Sequence, residues 1–317
     1  MENMKANLLG NILRKFGLPA VIILIIIAMS VVSPVFLTRQ NILNVLRQVS
    51  INGIMAVGLT LVILTGGIDL SVGALVAVTS VITGSLLIKD YSVPSAVIIG
   101  VTAAVTFGLF SGTLISVFGL PPFIATLATM TICRGFALVY SDGRPFTILN
   151  KTFIGIGQGS TFDIPNPIWI LLVVCVLAYL LLNFTVYGRH IYAFGGNRQA
   201  ARLAGVRTKL VEISVYVISG FLAGVAAIIL SARIRSGQPT AGDGYELDAI
   251  AATAIGGTSM IGGKGSVFGT VMGFIIIGVV SNSLTLLNVS SFYQQIVKGV
   301  IIIVAVMMDS QTKRRRS

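Results

Sequence analysis

The feature that most constrains this chain is a succession of apolar runs, most of them near the roughly 20 residues a helix needs to cross a bilayer core. They fall at 18–36, 42–64, 71–88, 94–118, 123–140, 167–184, 211–231, 246–261, 266–287 and 292–308. Only 10% of the 317 residues are charged and 55% are hydrophobic, against roughly 25% charged in a soluble domain. So few charges cannot cover a water-facing globule. A soluble enzyme, a disordered protein and an extracellular disulfide module are excluded. The expected fold is an all-α integral membrane protein of about ten transmembrane helices, forming one transmembrane domain over 1–317.

Charge sets the expected orientation, because basic residues collect on the cytoplasmic side. Lys5, Arg14 and Lys15 precede the first run. Arg189, Arg198, Arg202, Arg207 and Lys209 lie in the 185–210 loop, and Lys313, Arg314, Arg315 and Arg316 in the tail. All three groups are expected in the cytoplasm. That assignment closes only if the short 246–261 run counts as a crossing. The N-terminal run resembles a signal peptide, but lacks a convincing small-residue cleavage site and is read as a retained first span. The net charge of +12 invites a nucleic-acid partner. None is expected, because the basic residues sit at the ends of apolar runs with no soluble module to carry them.

An internal repeat lies under this count. Gly67-Ile68-Asp69-Leu70 opens the third run and Gly244-Tyr245-Glu246-Leu247 the eighth. Gly108, Ser111 and Leu114 share a spacing with Gly278, Ser281 and Leu284, and Phe123 with Tyr293. Spans two to five (42–140) therefore resemble spans seven to ten (211–308), and because the two sets start on opposite sides the repeat is inverted. Asp69 and Glu246, the acids read as closest to the membrane, sit at span N-termini, where the helix dipole favours a carboxylate.

No catalytic constellation is present. His190 is an exposed loop histidine by position, and Cys133 and Cys175 have no metal spacing. The glycine-rich GGTSMIGGKGS resembles a phosphate-binding loop, but Lys264 is followed by Gly265 rather than Ser or Thr, and no strand precedes it. It reads as a flexible turn, and no cofactor is expected on this chain. Arg134 and Lys298 are mid-span charges: Arg134 snorkels outward, meets another subunit or faces a pathway. In the 185–210 loop, Gly195-Gly196 break the chain, Asn197 suits an N-cap, and Gly205 suits a helix stop. Between them Arg198 to Ala204 make a short helix, with Ala200, Ala201, Leu203 and Ala204 as a small apolar face beside Arg198 and Arg202.

At this point the chain resembles the membrane permease subunits of ribose-type sugar ABC importers. The residues that carry the resemblance include LVILTGGIDLSVG (61–73), Phe123-Ile124-Ala125-Thr126-Leu127, Gly195-Gly196-Asn197, Ala201-Arg202-Leu203-Ala204-Gly205, QPTAGDGYELDAIAA (238–252) and YQQIVK (293–298). The resemblance implies ten spans with an inverted repeat in a bacterial cytoplasmic membrane, and a permease pair that is read here as a homodimer. It also implies cytoplasmic ABC ATPase subunits and a periplasmic or lipid-anchored sugar-binding protein, with ribose the nearest sugar. On this reading Asn197, Arg198, Ala201, Arg202, Leu203 and Gly205 form the coupling helix that docks into the ATPase. The outer segments 141–166 and 232–245 carry Asp142, Arg144, Lys151 and Asp163, then Arg233, Arg235 and Asp243, and receive the binding protein. The alternative is an ion-coupled secondary transporter of a small polar solute, which would want an intramembrane acid or histidine relay.

Overall fold

The computed structural model describes residues 20–314, with the side chains of 304–306 and 308–314 outside that description. Among the described residues thirteen helices make up 76%. Six of them are long and apolar enough to cross a membrane. Of the basic groups used for orientation, Lys5, Arg14, Lys15, Arg315 and Arg316, with the side chains of Lys313 and Arg314, lie outside the described residues.

Helix α1 (Ala20–Val32) leaves Leu24, Ile27 and Val31 exposed and packs Met29 against Val279. Two helices form the centre. They are α2 (Arg39–Leu64) and α10 (Thr208–Ile234), which pack on each other and bury most of their length. Around them stand α3 (Val72–Ile88), α4 (Val93–Ser116), α5 (Pro122–Ser141), α7 (Asn166–Phe184), α11 (Tyr245–Ile255), α12 (Val267–Leu286) and α13 (Ser291–Arg314). The outer helices α4, α5 and α7 keep apolar side chains such as Ile98, Ile132 and Leu177 exposed, as lipid-facing helices do.

Helix starts follow local chemistry. Ser92, Ser266 and Thr38 each accept a backbone N–H from the first turn of α4, α12 and α2, and Pro94 fits the first turn of α4, where no donor is needed. Asn41 and Asn282 exchange both amide hydrogen bonds, at 3.0 and 2.8 Å, and so tie α2 to α12.

Two expected spans are short. Helix α3 has 17 residues and α11 only 11. At 1.5 Å per residue these are roughly 25 and 16 Å long, against a hydrocarbon core of about 30 Å. The expected 246–261 run is therefore helical only to Ile255, and glycine-rich turns follow it. Irregular backbone precedes each short helix, at 65–71 and 235–244. Such backbone survives at membrane depth only when protein surrounds it. Asp69 and Gly67, Ala241 and Gly242 are all buried.

The 141–166 stretch is not a plain loop. It folds β1 (Phe146–Thr147), the short helix α6 (Lys151–Gln158), and a hairpin of β2 (Ser160–Thr161) with β3 (Ile164–Pro165). Strand β1 pairs antiparallel with β4 (Ser236–Gly237), in the register Phe146↔Gly237. The 185–210 loop is likewise mostly helical, with α8 (Val186–Gly196) and α9 (Arg198–Leu203).

Candidate functional site

On one end of the bundle, α9 has the predicted punctuation. Asn197 Oδ1 accepts the Ala200 N–H at 2.9 Å. Gly205 sits at φ +84°, its N–H bonds Arg202 O, and Val206 N–H bonds Ala201 O, the paired closure of a glycine-stopped helix. Two details correct the sequence reading. Gly195 and Gly196 do not break the chain. They end α8, and the break falls at the extended Asn197. Ala201 does not face outward either: it is buried at 5% exposure, while Leu203 is 88% exposed and Arg202 exposed beside it.

Arg198, with its side chain 53% exposed, reaches across to α10. Its guanidinium donates to both carboxylate oxygens of Glu212, at 3.2 and 2.6 Å, and lies 5.1 Å over the Phe194 ring. Glu212 is 5% exposed, so this fork-to-carboxylate pair carries a buried charge. A groove of about 680 Å³ between α9 and the start of α10 is lined by Arg202, Arg207 and Lys209. It is strongly basic and open.

Helix α8 links this end to the bundle. Tyr187 and Ser214 share a hydroxyl hydrogen bond at 2.6 Å, and Tyr192 Oη donates to Gly265 O at 2.9 Å. Gly263 N–H donates to Leu64 O at 2.9 Å. A Cβ on Gly195 would run into that same Leu64 carbonyl oxygen. Three backbones therefore meet without side chains between them: the end of α2, the end of α8 and the turn before α12. The glycine-rich turn, expected to be flexible, is tied down by these contacts.

At the opposite end the two predicted docking segments are one surface. Besides the β1–β4 pairing, Gln158 Nε2 donates to Arg233 O at 2.8 Å, and Arg235 Nη2 donates to Gln158 Oε1 at 2.7 Å. Asp142, Arg144, Lys151, Asp163 and Arg235 are exposed and Arg233 is half-buried. Asp163 also pairs with Arg39 at 3.7 Å. Asp243 stands apart. It lies 3.7 Å from Arg134, the thirteenth residue of the 20-residue α5.

The two repeat acids differ in role. Asp69 is fully buried and does not cap α3. It accepts from Ser71 N and Oγ at 3.0 and 2.6 Å, and from Ser219 Oγ at 2.9 Å, which staples the 65–71 segment to α10. Glu246 does lie in the first turn of α11, against Gly73 at the start of α3. Sequence reasoning missed two buried acids, Glu212 and Asp248. Both lie inside predicted spans, 211–231 and 246–261, and that position was the available signal. Asp248 accepts from Lys298 Nζ at 2.8 Å and from Asn52 Nδ2 at 3.1 Å.

This arrangement, a basic helix at one end and a cap at the other, joined by broken helices, fits a transport subunit. Residues 41–306 match the family model described as branched-chain amino acid transport system / permease component. The chain belongs to this permease family. It is 45% identical to the ribose import permease RbsC of Bacillus subtilis (strain 168), over 94% of both chains. It is 44% identical to RbsC of Escherichia coli (strain K12), over 95% of this chain and 94% of that one. It is 36% identical to the L-arabinose transport system permease AraH of Escherichia coli (strain K12), over 97% and 94%. No solved structure matches it significantly. Within this family the chain is a multi-pass inner-membrane permease and not a catalytic subunit.

Proposed function

We infer that this permease is the transmembrane subunit of an ATP-driven importer of a monosaccharide, ribose in the first place. The observation that carries it is the 43–45% identity to ribose import permeases along nearly the whole chain. ATP is hydrolysed by a partner ATPase, and a sugar-binding protein delivers the solute. A second substrate class deserves a direct comparison, because the family description names branched-chain amino acids. Uptake of labelled ribose by the assembled importer should be competed by ribose, weakly by arabinose and not by leucine. Competition by leucine alone would reverse the assignment.

The finer architecture is ten crossings with an inverted repeat and both termini in the cytoplasm. Parallel packing supports it: α3 packs on α4, α5 and α10, while α11 packs on α12, α13 and α2. Each half also runs from a long central helix through irregular backbone into a short helix. An impermeant thiol reagent applied outside intact cells should leave a Thr312→Cys variant unlabelled. Ready labelling would invert the orientation. Two copies of the chain would complete the pathway between two ATPases.

Helix α9 would be the ATPase-docking element, and the 142–163 and 233–235 cap the face for the binding protein, where opposed charges set docking register more than affinity. Leu203 is the apolar side chain that α9 presents outward, so it, rather than Ala201, would enter the ATPase. Only a minority of interface residues cost over about 1 kcal/mol when truncated, those buried at the centre of the contact, and placing a carboxylate there adds the cost of burying an unpaired charge. Leu203→Asp should therefore cut ATPase co-purification about tenfold. A lipid-surface role for α9 would instead leave the ATPase bound and weaken only membrane contact.

A further inference from the structure

One ion pair lies within the depth of the bundle, and a second joins a mid-helix cation to an exposed acid. Lys298 is the eighth residue of the 24-residue α13. Its Nζ meets Asp248 at 2.8 Å. The same Asp248 oxygen holds Asn52, the fourteenth residue of the 26-residue α2, which puts the pair at mid-span. Arg134, mid-way along α5, bonds Ala241 O at 2.7 Å and lies 3.7 Å from Asp243. Ionisable groups at membrane depth are costly and rare, and mark pathways by default. Stability alone is a weak reason for the Asp248–Lys298 pair, since apolar replacements of a buried pair are often neutral or better.

Between α11 and α13 lies a cavity of about 320 Å³, with Asp243, Tyr245, Glu246, Asp248, Gln295 and Lys298 in its lining. That volume lies in the range of small-molecule sites, roughly 300–1,000 Å³. The Asp243 side chain is 86% exposed. Glu246 Oε2 is buried without a hydrogen-bond partner among the described residues. Each cation is matched by a carboxylate, Arg134 by Asp243 and Lys298 by Asp248. The wall therefore offers both donors and acceptors, with Glu246 its one unpaired carboxylate, while its cation Lys298 is already paired with Asp248 and leaves nothing to hold an amino acid carboxylate. A sugar hydroxyl both donates and accepts, and adjacent hydroxyls suit such a wall.

We propose that this cavity, walled by the Asp248–Lys298 pair, Asp243 and Gln295, is the stretch of the translocation pathway that hydrogen-bonds a neutral polyhydroxy solute in transit. The proposal rests on the import reading above. It names a contact surface within the permease itself, separate from the binding protein's own sugar site.

The test uses the assembled importer in proteoliposomes, with ribose as probe and sugar taken up per ATP hydrolysed as readout. Replacing the pair by apolar side chains, Asp248→Leu with Lys298→Met, should lower that ratio about tenfold, since hydrogen bonds to charged groups are the strong ones. Gln295→Leu, on an exposed side chain, should lower it about threefold. Ratios equal to wild type in the variants that assemble would overturn the proposal. If the double variant fails to assemble with the ATPase, Gln295→Leu alone decides by the same criterion. A wild-type complex that hydrolyses ATP yet takes up no ribose would overturn the import reading itself, and a result confined to the variants would not.

Discussion

Gly195→Ala should abolish sugar uptake while the chain still enters the membrane. The new Cβ would be aimed at the carbonyl oxygen of Leu64, which already accepts the Gly263 N–H. The obstruction is backbone on both sides, so no side-chain rotation relieves it. Overpacking a well-filled site costs about 1–3 kcal/mol and forces backbone shifts. Here the shift would part the end of α8 from the end of α2 and from the turn before α12. With α9 docked on the ATPase, α8 and this contact would be the route by which ATPase motion reaches α2 and α12. Gly196 is the internal control. A Cβ there meets nothing within 4 Å, so Gly196→Ala should retain uptake within about twofold, as substitutions away from contacts do. Proteoliposome uptake and ATPase co-purification, measured for both variants, check it. Equal uptake in the two would mean that the three-backbone contact carries no motion.

Asp69→Ala should cause the largest loss of folded protein. Three donors converge on this carboxylate, and Asp69, Ser71 and Ser219 are buried. A hydrogen bond to a charged group contributes about 1.5–3 kcal/mol, and each donor left unsatisfied costs about 1–3 kcal/mol. Ser71 N–H, at the start of α3, would lose its acceptor with water excluded. Asp69→Asn keeps one acceptor oxygen in place and should lose far less. The yield of monodisperse protein in detergent, and its thermal midpoint, should rank wild type above Asp69→Asn and that variant well above Asp69→Ala. A wild-type midpoint for Asp69→Ala would show that the 65–71 segment needs no tie to α10.

Much of this was legible in the sequence because membrane crossing imposes length and charge rules that single residues reveal. The third span was placed to within one residue of α3, and Asn197 and Gly205 bracket α9 as their side-chain chemistry requires. What escaped was set by tertiary contact. Hydropathy ran the eighth span on to Ile261, because Gly256 and Gly257 interrupt the helix without lowering the apolar average. The inward turn of Ala201 depends on α9 docking against its own chain, which no local pattern encodes. Glu212 and Asp248 are both buried, so the chain does hold acids of the kind a secondary transporter would use. The family relationship, rather than an absence of acids, decides against that alternative.

The most direct test of the central claim is the energy source of ribose uptake. The permease, its ATPase and its binding protein are reconstituted together in sealed vesicles, and uptake is followed with ATP, with ATP and vanadate, and with an imposed proton or sodium gradient in place of ATP. Uptake that requires ATP and the binding protein, stops with vanadate and ignores the gradients is the predicted result. Uptake by the permease alone, driven by an ion gradient and indifferent to vanadate, would contradict it.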